Sequence, residues 1–300
     1  MRNTALIFIK PHAVTDRAVE FTEEFLGKGG ILLLDKSVMS AEEILREDIV
    51  DRHYFAIAHT AVHRTPAEYV MSGYARDAFE EAFDVSWDDA VAAGRVLNAL
   101  EAQEQLGNIS GRELNEKWKR SQQAKLAPGL YAAYFEEQDY FCINGFYPGQ
   151  REVFTTPGAQ VVLYEASFKP EELSWEAFRG ELIGATDPAK AAEGSLRNVL
   201  LSRWQELGLT AKPEMSRNGI HASAGPLEGL RERMVWLGTD PLQDEFGAAL
   251  IEAGMSTDRL EVLLENPTVR LNGREEPVFD LTEDMNADDA VRPLVEDIEG

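Results

Sequence analysis

The sequence predicts an α+β fold: a ferredoxin-like antiparallel sheet covered by helices, with a mainly helical insertion and a C-terminal extension. Three observations lead there. Short runs of β-formers alternate with helical patterns in the order β-α-β-α-(insert)-β-α-β-α. The texture changes between about 74 and 157, where helix starts and aromatic residues crowd together. Residues 241–300 hold 16 Asp+Glu against 4 Arg, a net −12 out of −24 for all 300 residues. The expected division is a core of 1–73 and 158–240, an insertion of 74–157, and an acidic extension of 241–300.

Taken in order, Thr4 to Ile9 is a short apolar run stopped by Pro11, which reads as a buried strand. Val14, Ala18, Phe21 and Phe25 recur at helical spacing, and Gly27, Gly29 and Gly30 end that helix. Ile31 to Leu34 is the next strand. Ser40 with Glu43 has capping-box spacing and opens a helix through Ile44, Leu45 and Ile49. Ser86 with Asp89, and Ser110 with Glu113, mark two further helix starts, the first carrying Val91, Val96, Leu97 and Leu100. The aromatic run from Tyr131 to Tyr147 reads as core rather than as a stacking platform for bases. Gln160 to Ser167 returns to a strand pattern, and Ser174 to Leu182 is a short helix. Thr186-Asp187-Pro188 reads as a helix start with proline in the first turn. Arg217 to His221 is extended, and Gly225-Pro226 opens a helix with Leu227, Leu230, Met234 and Leu237 on one face. In the extension, Leu260, Val262, Leu263 and Leu264 suit a packed helix, while Glu283 to Asp289 reads as a solvated face or tail.

Composition narrows the function classes. Apolar residues make up 44% and charged residues 27%, so the chain is globular. With Lys+Arg 29 against Asp+Glu 53, duplex nucleic acid is excluded as a partner held by charge. Any nucleotide needs a local basic pocket set against an unfavourable global field. A single cysteine, Cys142, excludes an intramolecular disulfide and a multi-cysteine metal site. The apolar run before Lys10 is too short for a signal-peptide core, and no run approaches a membrane span, so a cytoplasmic protein with no membrane partner is expected.

Four segments carry chemistry. Ile9-Lys10-Pro11-His12-Ala13-Val14 points an ammonium from a strand end fixed by proline. Gly184-Ala185-Thr186-Asp187-Pro188, followed by Gly194-Ser195-Leu196-Arg197, places a hydroxyl and a guanidinium where they can clamp phosphate oxygens. Arg217-Asn218-Gly219-Ile220-His221-Ala222-Ser223 puts a histidine at a short strand, where an imidazole with one unprotonated nitrogen can accept a phosphoryl group. Glu232, on the next helix, could reach back to fix its tautomer. Each alone has an ordinary structural explanation: a strand-end lysine, a helix cap, a satisfied histidine, a solvent-facing glutamate. His53, His59 and His63 fall on one predicted helix. The spacing of His59 and His63 suits a metal pair, but no third ligand is evident and no metal-ligating residue is assigned.

Together these segments, with His53-Tyr54, resemble nucleoside diphosphate kinases over about residues 3–73 and 158–238, in family order. The resemblance implies a phosphotransferase that moves the γ-phosphoryl group of a nucleoside triphosphate such as ATP, with Mg²⁺, through a phosphohistidine to a nucleoside diphosphate. It implies His221 as the nucleophile and Glu232 as its orienting carboxylate. Lys10, Arg197 and Asn218 correspond to phosphate and ribose ligands, and Thr186 to a phosphate-binding threonine. Tyr54 corresponds to a tyrosine beside the transferred group, and Ser223 to a serine just past the nucleophile. It also implies a homo-oligomer.

The sequence departs from that pattern at several points. The family arginine before the threonine falls at Gly180, with Arg179 one step earlier as its candidate replacement. The base-stacking aromatic falls at Val62, the Asp near the metal at Ala224, and the Asp of the lysine motif at His12. Residues Leu201 to Met215 are extra, and an insertion of 84 residues falls near the base-binding helices and the packing elements. Two alternatives stay open: the same chemistry with a non-nucleotide or protein acceptor, and a nucleotide-binding regulatory protein without turnover.

Overall fold

The structure, a computed structural model, describes residues 1–271 and 273–299. Asn272 and Gly300, both in the expected extension, lie outside the described residues. The chain is mixed α+β and divides into two compact units, residues 1–40 with 160–300, and residues 41–159.

The first unit is built on four antiparallel strands in the spatial order Leu32–Ser40, Gln160–Phe168, Asn3–Ile9, Ile220–Ala222. The Asn3–Ile9 strand is central, buried along nearly its whole length, as its unbroken apolar run requires. Alternation sends Ala5, Ile7 and Ile9 to one face, where they pack with Ala18, Leu26, Tyr164, Trp175, Phe178 and Ile220. The Asp16–Lys28 helix belongs to that layer and is opened by Thr15, whose hydroxyl accepts from the Ala18 N–H at 3.0 Å. Phe8 faces the other way. Its ring lies against Trp236 of the Pro226–Leu237 helix, with centroids 4.8 Å apart. The same helix is held by the fully buried Arg233, which donates to Thr4 O and to Asp244 Oδ2.

Residues beyond 240 are not a separate appendage. The far side of the Pro226–Leu237 helix, Leu227 and Leu230, shares a core with Phe246, Leu250, Leu260, Leu263, Val278, Leu281 and Leu294. A small three-stranded sheet, Arg274–Pro277, Thr268–Leu271 and Ile298–Glu299, completes that layer. Nor is Glu283–Asp289 a tail. Asn286 Oδ1 accepts from the Trp175 N–H at 2.9 Å and from Asn3 Nδ2 at 3.0 Å, which knits the stretch to the central strand. Its charged residues, Glu283, Asp284, Asp288 and Asp289, are exposed, so the stretch is the solvated face that the sequence suggests, anchored through Asn286 and buried Ala287.

The second unit begins at 41, not 74. Ala41 N donates to Ala159 O at 2.9 Å, and buried Asp51 accepts from Arg151 Nε at 2.9 Å and from the Tyr147 hydroxyl. Residues 41–73 therefore close onto the Tyr147–Thr155 helix rather than onto the core with which the sequence grouped them. The unit is also less purely helical than expected. It holds a sheet ordered Val96–Leu97, Tyr140–Ile143, Leu130–Phe135, Gln122–Ala127. The aromatic run serves as its core, with Phe135, Phe141 and Tyr147 buried. No described helix is long and apolar enough to cross a membrane.

Candidate functional site

The site forms where the central strand meets the short Ile220–Ala222 strand. Their register places Phe8 opposite His221 and Ile9 opposite Ile220, so Lys10 emerges beside the loop that precedes His221. That loop is held from both sides. Lys10 N donates to Gly219 O at 2.8 Å, and Gly219 N donates to His12 Nε2 at 3.1 Å. Gly219 has φ +85°, a conformation that suits only glycine there, and a Cβ would come within 3.2 Å of Leu200 Cδ1. His12 is thus the clasp of the loop. Burial, then the charges of Arg217 and Lys10, push its imidazole down to about 4, so it stays neutral and its Nε2 keeps a lone pair for that bond.

The His221 ring stacks on Phe8 at 4.5 Å and 18°. Its Nε2 lies 2.6 Å from Glu232 Oε1, and Glu232 is 4% exposed against 19% for His221. The other carboxylate oxygen, Oε2, accepts from the Ser223 hydroxyl at 2.6 Å, while Ser223 Oγ accepts from the Leu6 N–H at 2.8 Å. The order is therefore backbone, serine, glutamate, imidazole. With Glu232 as a carboxylate, Nε2 carries the proton, and in the neutral ring the lone pair is on Nδ1.

Two cations flank the histidine strand. Arg197, on the Leu196–Ser202 helix, donates from Nη1 to Gly184 O at 2.7 Å and from Nη2 to Ile220 O at 2.9 Å, so backbone carbonyls aim its guanidinium. Burial, and then the Arg179 charge, push it down to about 10. Burial, and then Arg197, push Lys10 down to about 8. Among the described residues neither cation has a carboxylate partner. A half-buried cation pair without a counter-ion is costly unless an anion joins it. Asn218, 2% exposed, donates from Nδ2 to Thr186 O at 3.1 Å, and its Oδ1 is buried with no hydrogen-bond partner.

The structure thus brings Lys10, Arg197, Asn218, His221, Ser223 and Glu232 around one strand end. Thr186 joins through its carbonyl and is exposed. It lies in a turn and not at a helix start: Asp187 caps the turn locally through the Ala189 N–H, and the next helix begins at Leu196. Arg179 is already engaged, with Nη1 2.5 Å from Glu283 Oε1 and 2.7 Å from Asp284 Oδ1. Tyr54 belongs to the 41–159 unit, where its ring meets His53 edge-on at 4.4 Å. His59 and His63 diverge: His59 packs on Phe55 at 5.0 Å, and His63 Nε2 lies 3.4 Å from Asp51.

Sequence reading missed two features. Glu228 lies one turn before Glu232 and accepts from the Ala224 N–H at 3.1 Å; burial and then the Glu232 charge hold its carboxyl up at about 8. Its signal was the i, i+4 glutamate pair in Glu228-Gly229-Leu230-Arg231-Glu232. The Glu283–Asp284 turn left no comparable local signal.

These engagements bear on magnesium. The position after Ser223 is Ala224, Glu228 is occupied by a backbone amide, and Glu283 and Asp284 face an arginine. These side chains do not form a protein carboxylate site for Mg²⁺.

No protein-family profile matches this chain, and no curated protein matches it. Among solved structures it is similar to the nucleoside diphosphate kinase of Encephalitozoon cuniculi, 14% identical over 81% of this chain and 92% of that one, with a TM-score of 0.37. It is similar also to an NDP kinase from Pyrobaculum aerophilum, 18% identical over 79% of this chain and 96% of that one, with a TM-score of 0.35. A third is the Borrelia burgdorferi nucleoside-diphosphate kinase with bound vanadate and ADP, 15% identical over 78% and 86%, with a TM-score of 0.35. Likeness this distant carries no weight for function, which rests on the site itself.

Proposed function

We propose that this protein is a phosphotransferase of the nucleoside diphosphate kinase type, built on a ferredoxin-like sheet. The observation that carries this reading is the pairing of a carboxylate-oriented imidazole, His221 with Glu232, with two cations, Lys10 and Arg197, that lack counter-ions. In the first half-reaction the Nδ1 lone pair of His221 attacks the γ-phosphorus of a nucleoside triphosphate. An N–P bond forms, the bond to the bridging β,γ oxygen breaks, and the nucleoside diphosphate leaves with that electron pair. The ring gains positive charge as it is phosphorylated, and Glu232 on Nε2–H offsets it. Ser223 keeps the carboxylate in place. Lys10 and Arg197 neutralise the phosphate oxygens, and Asn218 Oδ1 offers an acceptor to a hydroxyl of the ligand. A second nucleoside diphosphate then takes the phosphoryl group by the reverse path. Magnesium, arriving with the nucleotide, would lower the charge on the phosphates.

The test is donor treatment with γ-labelled ATP. A single acid-labile, base-stable adduct at His221, absent from His221→Ala, is expected. Absence of any adduct in the wild-type protein would overturn the proposal.

A further inference from the structure

The Glu283–Asp284 turn is fastened to the site through its backbone. Asp284 N donates to Ala224 O at 3.0 Å, next to Ser223. Gly225 lies so close that a Cβ there would come within 2.7 Å of Thr282 O and 3.3 Å of Glu283 Cα. Thr282 is fully buried and anchors the segment, while the side chains of Glu283 and Asp284 stay 41% and 43% exposed. Asp284 adopts φ +64°, a left-handed conformation that Asp and Asn tolerate better than other non-glycine residues. This acidic turn spends its two carboxylates on one guanidinium, Arg179.

Arg179 is not a remote surface group. Its segment, Phe178–Ile183, packs against both the Ile220–Ala222 strand and the Leu196–Ser202 helix, and its charge is felt by Arg197 and by Glu228. Burial alone would lower Arg179, but Asp284 and then Glu283 more than offset it, and its guanidinium is held above the usual range. Lys10, Arg197 and Arg179 are thus three cations of one cluster, and only the third has been given an anion. Carboxylate and phosphate oxygens present the same acceptor geometry to a guanidinium.

We propose that the Glu283–Asp284 turn is a built-in competitor: its carboxylates occupy on Arg179 the place of a ligand's phosphate oxygens, and an incoming phosphate chain displaces them. This rests on the reading that Lys10 and Arg197 receive that chain. A tethered anion acts at a high effective concentration, so it lowers apparent affinity without touching the imidazole. The ion pairs are partly exposed and hence screened, which makes the strap displaceable.

The experiment is a double-mutant cycle on the full chain, with ADP as the probe and calorimetry as the readout. The variants are E283Q/D284N, R179A and the triple combination; Asn at 284 tolerates the left-handed φ, so the turn is kept. E283Q/D284N should bind ADP on the order of tenfold tighter than wild type, and the gain should vanish in the R179A background. Hydrogen exchange on the wild-type protein gives a second readout: ADP should speed exchange of the Asp284 amide. Unchanged affinity in E283Q/D284N, a gain that survives R179A, or slower exchange would each overturn the proposal. A His221 adduct without this cycle removes the competitor and leaves the phosphotransferase. The cycle without an adduct does the reverse, and failure of every variant to bind ADP removes both.

Discussion

At the scale of single residues, Lys10 shows most plainly how function and stability are traded. Its ammonium sits without a counter-ion, lowered from 10.5 to about 8 by burial and by Arg197. The folded protein thus sheds this proton more readily than the unfolded chain. Holding the charged form costs stability below about pH 8, and that cost is relieved as pH rises toward the ordinary lysine value. Anion binding runs the opposite way. ADP affinity should be full below about pH 8 and weaken above it as Lys10 loses its charge, a limb that titration calorimetry from pH 6.5 to 9.5 would resolve. Lys10→Met should bind ADP at least about tenfold more weakly and yet melt at a higher temperature at pH 7. A flat affinity profile, or a variant that loses both properties, would count against the assigned role. Residues of this kind were legible in the sequence because strand end, proline and loop are local. Arg179 was legible as a candidate, but its engagement was not: Asp284, which holds it, is 105 residues away in the chain.

At the scale of elements, the site depends on how one glycine lets a loop be held twice. Gly219 at φ +85° hands its carbonyl to Lys10 and its N–H to His12. Gly219→Ala would force an alanine into the left-handed region at a cost of about 1–2 kcal/mol, and would press its Cβ toward Leu200. Urea denaturation should register a loss of that size, with ADP affinity falling in parallel because Lys10 shares the strained loop; an unchanged midpoint would show that the loop relaxes freely. The elements that sequence periodicity found are those closed by local chemistry. Ser86 accepts from the Asp89 N–H at 3.1 Å, and Ser110 and Glu113 form a reciprocal cap. What periodicity missed was non-local. The pattern from Val91 to Leu100 read as one helix, yet Gly94 at φ +68° ends it. Val96–Leu97 then pairs in parallel with Phe141 and Cys142, and Asn98 caps a new helix. Strand pairing across more than forty residues leaves no trace in a helical window.

At the scale of the whole molecule, the net charge of −24 decides how an anionic ligand arrives, whereas the local cations decide whether it stays. The acidic residues beyond 240 are half of that excess, and most of those described are exposed, although some also hold cations: Asp288 meets the N-terminal amine at 2.5 Å, and Asp244 holds Arg233. At about 10 mM salt the screening length is about 30 Å, so an approaching nucleotide feels the whole negative chain; at about 150 mM it is about 8 Å, short enough for Lys10 and Arg197 to dominate at the site. The association rate of ADP should therefore rise several-fold between those salt concentrations, the reverse of ordinary steering toward a basic protein. Dissociation should quicken as well, because salt screens the pairing with Lys10 and Arg197. Stopped-flow measurement with a fluorescent ADP analogue separates the two rates. An association rate that falls with salt would mean that the cation cluster already outweighs the global field at long range, and that the acidic surface plays no part in admission to the site.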